Sequence, residues 1–199
     1  YYLDKMNEIE KSQFNRPFLG ERVSGDITFF HDDDSFSYAV LIDGIGHGDS
    51  AHLMAESIGQ ELNHYWSPNP SRMITYLNDR LSKNIGAAIG VLVINKNTMK
   101  FYYSGLGNIR CKIIGKESST NLTSTDGILG MRYRTTKNQE GRLRTGDLVI
   151  LCSDGISKLD DIQNWNRFKA LKSSTIVRRI VNKYGTDLDD SSCIAIKII

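Results

Sequence analysis

Apolar positions fall into two spacings along this chain, and the change from one to the other is sharpest between residues 35 and 50. Phe36-Ser37-Tyr38-Ala39-Val40-Leu41-Ile42 is a run of aromatic and β-branched residues that reads as a strand. It stops at Asp43-Gly44-Ile45-Gly46-His47-Gly48, where glycine recurs at every second position and marks a loop. Beyond it Ala51, Met54, Ala55, Ile58, Leu62 and Tyr65 recur at helical spacing, and Asp49-Ser50 offers N-capping side chains. The unit is strand, glycine loop, helix, with a carboxylate at the strand's end.

The same two spacings order the rest. Residues 1–12 are mostly polar and are expected to fray. The segment 14–23, with Pro17 and Gly20, reads as a connector or short edge strand. Ile27-Thr28-Phe29-Phe30 reads as a strand ending in the hairpin turn Asp32-Asp33-Asp34, and Asp26 at its start is expected to pair with the strand that ends at Asp43. Pro70 fits the first position of a second helix, whose apolar stripe is Met73, Ile74, Leu77 and Leu81. Three short runs at 87–94, 100–104 and 109–114 are close enough to predict an antiparallel meander. A polar loop is expected over 115–130, and a hairpin or mobile flap over 131–146. The opening pattern then returns as the strand 148–152 ending in Ser153-Asp154-Gly155. Helical spacing follows around Trp165 and Phe168 and at 176–184, and a strand over 193–199 follows Asp189-Asp190.

Length and charge narrow the function classes. At 199 residues the chain is read as one domain, 1–199, with a substantial core. Its 25 basic and 23 acidic residues leave a net charge of +2 and no basic stripe, so no nucleic-acid partner is expected. No apolar stretch approaches the ~20 residues that cross a bilayer and no signal peptide is visible, so no membrane partner is expected either. Cys111, Cys152 and Cys193 lack metal-binding spacing and sit in or beside strand-like runs, which points to reduced thiols and a cytoplasmic location.

The acidic residues then change the picture. Asp26, Asp43, Asp154 and the pair Asp189-Asp190 all flank strands. A lone Asp-Gly most simply caps a turn, and the Asp32–Asp34 triplet most simply tips a loop. Four strand-end carboxylates brought together would repel, and divalent cations resolve that conflict. Two such ions can lower the pKa of a water and clamp a phosphate for in-line attack. Without a cysteine cluster, hard oxygen-bound ions fit better than zinc. His47 is weighed as a general acid for a departing oxygen against a plainer role as a backbone-bonded loop residue.

At these residues the chain resembles the metal-dependent type 2C protein phosphatases, and within them the bacterial SpoIIE-like branch. The shared pieces run in family order from about residue 20 to the C-terminus: Ser24-Gly25-Asp26, Asp43-Gly44 within D-G-x-G-H-G, Gly105-Leu106-Gly107-Asn108, Gly127-Ile128-Leu129-Gly130, Gly146-Asp147 leading to Ser153-Asp154-Gly155, and Asp189-Asp190-x-Ser192. The resemblance implies an α+β fold, a four-layer αββα sandwich of two antiparallel sheets flanked by helices. It implies two Mn²⁺ or Mg²⁺ ions held by Asp26, Asp43, the Gly44 carbonyl, Asp154 and Asp189, with Asp43 and Asp154 catalytic. Gly25 stands where eukaryotic members carry an acidic residue, Ser192 replaces the usual threonine, and no arginine matches their phosphate-binding group. Weak metal retention is therefore expected.

The compact length and Gly107-Asn108-Ile109-Arg110 make the chain look most like branch members that reset stressosomes, the sensory assemblies of the general stress response. The expected function is hydrolysis of phosphoserine or phosphothreonine on phosphorylated STAS-domain stressosome proteins by a metal-activated water. The alternatives are a SpoIIE-like phosphatase acting on an anti-sigma-factor antagonist, and a catalytically silent docking module of the same fold.

Overall fold

The computed structural model describes residues 8–81, 86–162 and 164–199. In chain order these form β1 (Ile9–Arg16), β2 (Asp26–Asp32), β3 (Phe36–Gly44), α1 (Gly48–Leu62), α2 (Pro70–Arg80), β4 (Ala87–Asn95), β5 (Lys100–Leu106), β6 (Arg110–Ile114), β7 (Ser119–Leu122), β8 (Gln139–Arg142), β9 (Leu148–Cys152), α3 (Trp165–Lys169), α4 (Ser173–Tyr184) and β10 (Ser191–Ile198). One five-stranded sheet has the order β1-β10-β9-β6-β7 and the other β2-β3-β4-β5-β8. Every strand pairing in both sheets is antiparallel.

Period-2 alternation explains the layers. Along β3, Ala39 and Leu41 face between the sheets and meet Leu92, Val149, Leu151 and Ile194. Tyr38, Val40 and Ile42 face the other way, onto Ala55 and Ile58 of α1 and Met73 and Leu77 of α2. On β9, Val149 and Leu151 point inward, while Leu148, Ile150 and Cys152 pack against Ile176, Val177, Ile180 and Val181 of α4. These central strands are buried on both faces, which is why they read as unbroken apolar runs. The result is helix, sheet, sheet, helix: the αββα sandwich expected.

Several local expectations are met. Asp26 stands opposite Asp43 in the β2–β3 register. Asp33 accepts from the Ser35 and Phe36 amides at 2.8 and 2.7 Å and from the Tyr38 hydroxyl at 3.0 Å, so the acidic triplet is a hairpin turn. Pro70 opens α2, and the Asn69 side chain caps it by accepting from the Arg72 amide. All three cysteines are buried and free. Burial pushes the Cys152 thiol up to about 12, so it packs as a small hydrophobe.

Others need correction. The third run of the expected meander leaves its sheet: β6 pairs with β7 and β9 instead of β5. Gly107, at φ +92, turns the chain between β5 and β6, and Ile109 and Cys111 then bury in the inter-sheet core. The vacant side of β5 is taken by β8, from the segment read as a hairpin or flap. Within the expected polar loop, Ser119–Leu122 forms β7. Fraying over 1–12 does not hold from Ile9 onward, because β1 pairs along its length with β10; residues 1–7 lie outside the described residues. Asp49-Ser50 is not the cap of α1. The helix starts at Gly48, His47 holds the cap position without a side-chain bond, and Asp49 lies in the first turn.

Gly155, just past β9, lies against the Asp190 backbone where the chain enters β10. A Cβ there would lie 1.9 Å from the Asp190 carbonyl oxygen. Gly155→Ala is expected to cost about 3 kcal/mol, since the obstacle is backbone rather than a side chain that can swing away. Chemical denaturation of the two proteins checks this through the transition midpoint.

Candidate active site

The inward row of β3 continues past Ala39 and Leu41 to Asp43, which therefore opens at one end of the sandwich. The chain leaves β3 with the Gly44 amide donating to the Gly25 carbonyl (3.2 Å) and the Ile45 amide to the Gly86 carbonyl (2.9 Å). A cavity of about 670 Å³ opens there, bringing Asp43, Gly44, Asp154 and Asp189 together with His47, Asn108 and Asp126. No Lys or Arg among the described residues lines it. Among the described residues, no three His, Cys, Asp or Glu side chains are placed, as they stand, to hold a single ion.

Asp26 is brought near but does not line the cavity. It is 2 % exposed, and its Oδ2 accepts from Ser153 Oγ at 2.7 Å; Ser153 Oγ in turn accepts from the Ser192 amide at 3.0 Å. Asp190, the second member of the Asp189-Asp190 pair, is committed elsewhere. Its carboxylate accepts from the Phe18 and Gly25 amides at 2.8 and 2.9 Å, which clamps the segment leading into β2. Its own amide donates to Asp189 Oδ1 at 2.9 Å.

Crowding governs the charges. Burial first, then repulsion from Asp26, Asp154, Asp189 and Asp190, pushes the Asp43 carboxyl up to about 9. Burial pushes Asp26 up to about 7 against the opposing Ser153 hydrogen bond, with Asp190 and Asp189 adding repulsion. Asp189 is raised by burial and by Asp154. Unaided, this end of the protein favours protons on its carboxylates, so it is short of positive charge.

Asp126, Glu21 and Phe18 were not singled out from the sequence, and Asn108 stood there only as part of a glycine motif, without a role. The Asn108 side-chain amide donates to Asp154 Oδ2 at 2.6 Å and fixes its orientation. Asp126 lines the cavity and is paired with Arg132 (2.6 Å) and Arg134 (3.6 Å). Glu21 Oε1 lies 2.9 Å from His47 Nδ1, and Phe18 stacks on the His47 ring at 4.6 Å. His47 is thus held by side chains, not by backbone. The signal for Asn108 was the Gly105-Leu106-Gly107-Asn108 motif, and for Asp126 a third Asp-Gly pair after Asp43-Gly44 and Asp154-Gly155. Nothing in the sequence links Glu21 to His47.

Comparison with known proteins gives a consistent set. The family described as Stage II sporulation protein E (SpoIIE) matches residues 33–198. The phosphoserine phosphatase RsbX of Bacillus subtilis (strain 168) is 25% identical over 143 residues, 71% of each chain. Among solved structures, a chain from work on the bacterial stressosome, a modular system adapted to control secondary messenger signaling, superposes with a TM-score of 0.84. It is 25% identical, over 96% of this chain and 100% of that one. RsbX crystallised in complex with magnesium superposes with a TM-score of 0.81 at 22% identity, over 97% of this chain and 98% of that one.

Proposed function

The chain belongs to the SpoIIE family, and from that membership we propose that it is a metal-dependent protein phosphatase acting on phosphoserine and phosphothreonine. The observation that carries this reading is the convergence of Asp43, Asp154 and Asp189 on one cavity that no Lys or Arg among the described residues lines. The donor set fits hard divalent ions: carboxylates and the Gly44 carbonyl, oxygen only, with Asp43 pushed up to about 9 by burial and by the neighbouring carboxylates. Magnesium in particular takes one or two carboxylates and keeps several waters, which suits a site where, among the described residues, no three acidic side chains are placed to hold one ion. A pair of magnesium or manganese ions held by Asp43, Gly44, Asp154 and Asp189 would neutralise the cluster, lower the pKa of water and clamp a phosphate.

The chain's own residues have distinct work. Asn108 keeps Asp154 in one orientation, and Ser153 and Asp26 brace the wall behind Asp43. Asp26 is proposed as a ligand through water or through a small rotation, since it is buried behind the cavity. His47, oriented by Glu21 and Phe18, is proposed to deliver a proton to the departing serine oxygen. His47→Ala is then expected to slow release from a phosphoserine peptide by about 100-fold, and from p-nitrophenyl phosphate, whose leaving group needs no proton, by less than about threefold. An equal loss on both substrates would remove His47 from the proton's path.

Similarity to RsbX and to the stressosome chain supports a finer proposal: the substrates are phosphorylated STAS-domain proteins of a stressosome, and the site of action is the cytoplasm. No helix among the described residues is long and apolar enough to cross a membrane. The test of the chemistry is phosphate release from p-nitrophenyl phosphate with Mn²⁺ and again with excess chelator. Turnover that disappears with chelator is expected; turnover indifferent to chelator contradicts the proposal. A phosphorylated STAS-domain protein is expected to be hydrolysed with a higher kcat/KM than an unstructured peptide carrying the same phosphoserine.

A further inference from the structure

Large apolar side chains left in water are unremarkable when scattered, but three of them gather at the mouth of the acidic cavity. Ile45 is 50 % exposed, Met131 60 % and Leu188 84 %. Ile45 and Leu188 line the cavity beside Asp43 and Asp189. Met131 adjoins Ile45: a methyl group placed on Gly86 would lie 2.3 Å from Ile45 Cδ1 and 2.9 Å from Met131 Sδ.

Two of these side chains stand on backbone tied to one strand entry. The Ile45 amide donates to the Gly86 carbonyl, and the Leu129 amide to the Ala87 carbonyl, both at 2.9 Å. The turn that presents Met131 is closed by Ile128 N–H to the Arg132 carbonyl (2.9 Å) and Arg132 N–H to the Ile128 carbonyl (3.0 Å). The Arg132–Asp126 ion pair (2.6 Å) braces it further. Fixed backbone with an exposed apolar tip is a preorganised contact: little ordering entropy remains to be lost when something covers it. The neighbouring guanidinium groups of Arg132 and Arg134 share the single carboxylate of Asp126, at 2.6 and 3.6 Å.

We propose that Ile45, Met131 and Leu188 form an apolar rim that takes up large aliphatic side chains flanking the phosphorylated residue, so that the preferred substrates are phosphoserine segments with Leu, Ile or Met beside the phosphate. This rests on the phosphatase reading of the cavity. The phosphate itself, a dianion, gains nothing from apolar atoms; what the rim can bury is whatever stands on either side of it. The cavity holds a side chain and its phosphate rather than a folded domain, which leaves the flanks at the level of the rim. Burying one large aliphatic side chain changes an equilibrium by roughly tenfold.

The experiment uses two synthetic phosphoserine peptides of equal length and charge, one flanked on both sides by Leu, Ile and Met, the other by Ser, Thr and Gly. The wild-type protein is expected to show about a tenfold higher kcat/KM for the first, carried by KM. Met131→Ser is expected to reduce that preference to about threefold or less while p-nitrophenyl phosphate turnover stays at the wild-type rate. Equal rates on the two peptides overturn the proposal, as does a variant that slows both peptides and the aryl phosphate together. If no phosphoester is turned over, the phosphatase reading fails by itself, and fluorescence anisotropy with the same two peptides decides the rim. Tighter binding of the apolar-flanked peptide that Met131→Ser abolishes supports it, and equal or absent binding overturns it.

Discussion

Asp43→Asn is expected to lower phosphate release by about 1,000-fold or more and, in the absence of metal, to raise the thermal midpoint. The two effects have one source. Asparagine has the size of aspartate, so the β3 strand end and its ties to Gly25 and Gly86 persist. The charge is lost at the position where repulsion from Asp26, Asp154, Asp189 and Asp190 converges. A site that relies on that charge to hold cations loses its chemistry, while a metal-free fold that had to tolerate the charge gains stability. Turnover of p-nitrophenyl phosphate at saturating Mn²⁺ and thermal unfolding in chelator read the two arms on the same preparations. Lost turnover with a raised midpoint fits the enzyme. A variant unchanged in every activity fits a docking module that keeps the fold without the chemistry.

The layers and the acidic end were legible in the sequence because each is written in a local pattern. Tyr38 through Ile42 and Leu148 through Cys152 are apolar on both faces, and Asp-Gly follows each, directly after Ile42 and one residue beyond Cys152. Burial on both sides followed by a carboxylate in a loop is a statement about adjacent residues, and the fold keeps it. The sheet assignment of β6 was not legible. Short runs 87–94, 100–104 and 109–114 are spaced as a meander would be, and spacing carries no information on whether the chain crosses to the facing sheet at Gly107. The strand β8 was hidden for the complementary reason. Gln139-Glu140-Gly141-Arg142 has no apolar alternation, because it pairs at an edge and buries little, so backbone pairing with β5 decides its state.

At the site, Asp43 and Asp154 were found through Asp-Gly punctuation and Asp189 through its place before the terminal strand, whereas Asp126, though an Asp-Gly, and the residues that position these carboxylates mostly were not. Glu21 reaches His47 across 26 residues, and Asp190 reaches Gly25 across 165; neither distance leaves a trace in composition or spacing. Asp26 shows the opposite error. Its place at a strand start matched Asp43, yet the register that pairs them also buries Asp26 behind the cavity against Ser153. Strand-end position alone does not say whether a carboxylate faces the opening or braces the wall.

The metal-free protein is expected to lose stability as pH rises from about 4 toward 9, and Mn²⁺ or Mg²⁺ to remove that loss. Burial and mutual repulsion raise Asp43 to about 9 and Asp26 to about 7 in the folded state, from 3.8 when solvated. Between those values the folded protein binds more protons than the unfolded chain, so stability is fully present below pH ~4 and falls as pH climbs through the folded values. The loss is on the order of a few kcal/mol. Glu10, Asp32 and Asp33 do not mask it. Burial raises them less than hydrogen bonds from Ser173, Lys11 and the Ser35 amide lower them, so their contribution is complete by pH ~5. Divalent cations bind the ionised cluster and therefore act most at the alkaline end, where a concentration of about one hundred times Kd adds about 2.7 kcal/mol. Thermal midpoints at pH 5, 7 and 9, in chelator and in a Mn²⁺ series, test this directly. The curve in chelator should slope down, the curve in Mn²⁺ should flatten, and dialysis should restore the slope, because among the described residues no three His, Cys, Asp or Glu side chains are placed to hold one ion. A midpoint that rises with pH in chelator, or that Mn²⁺ leaves unmoved at pH 9, would mean that these aspartates are not the cations' seat.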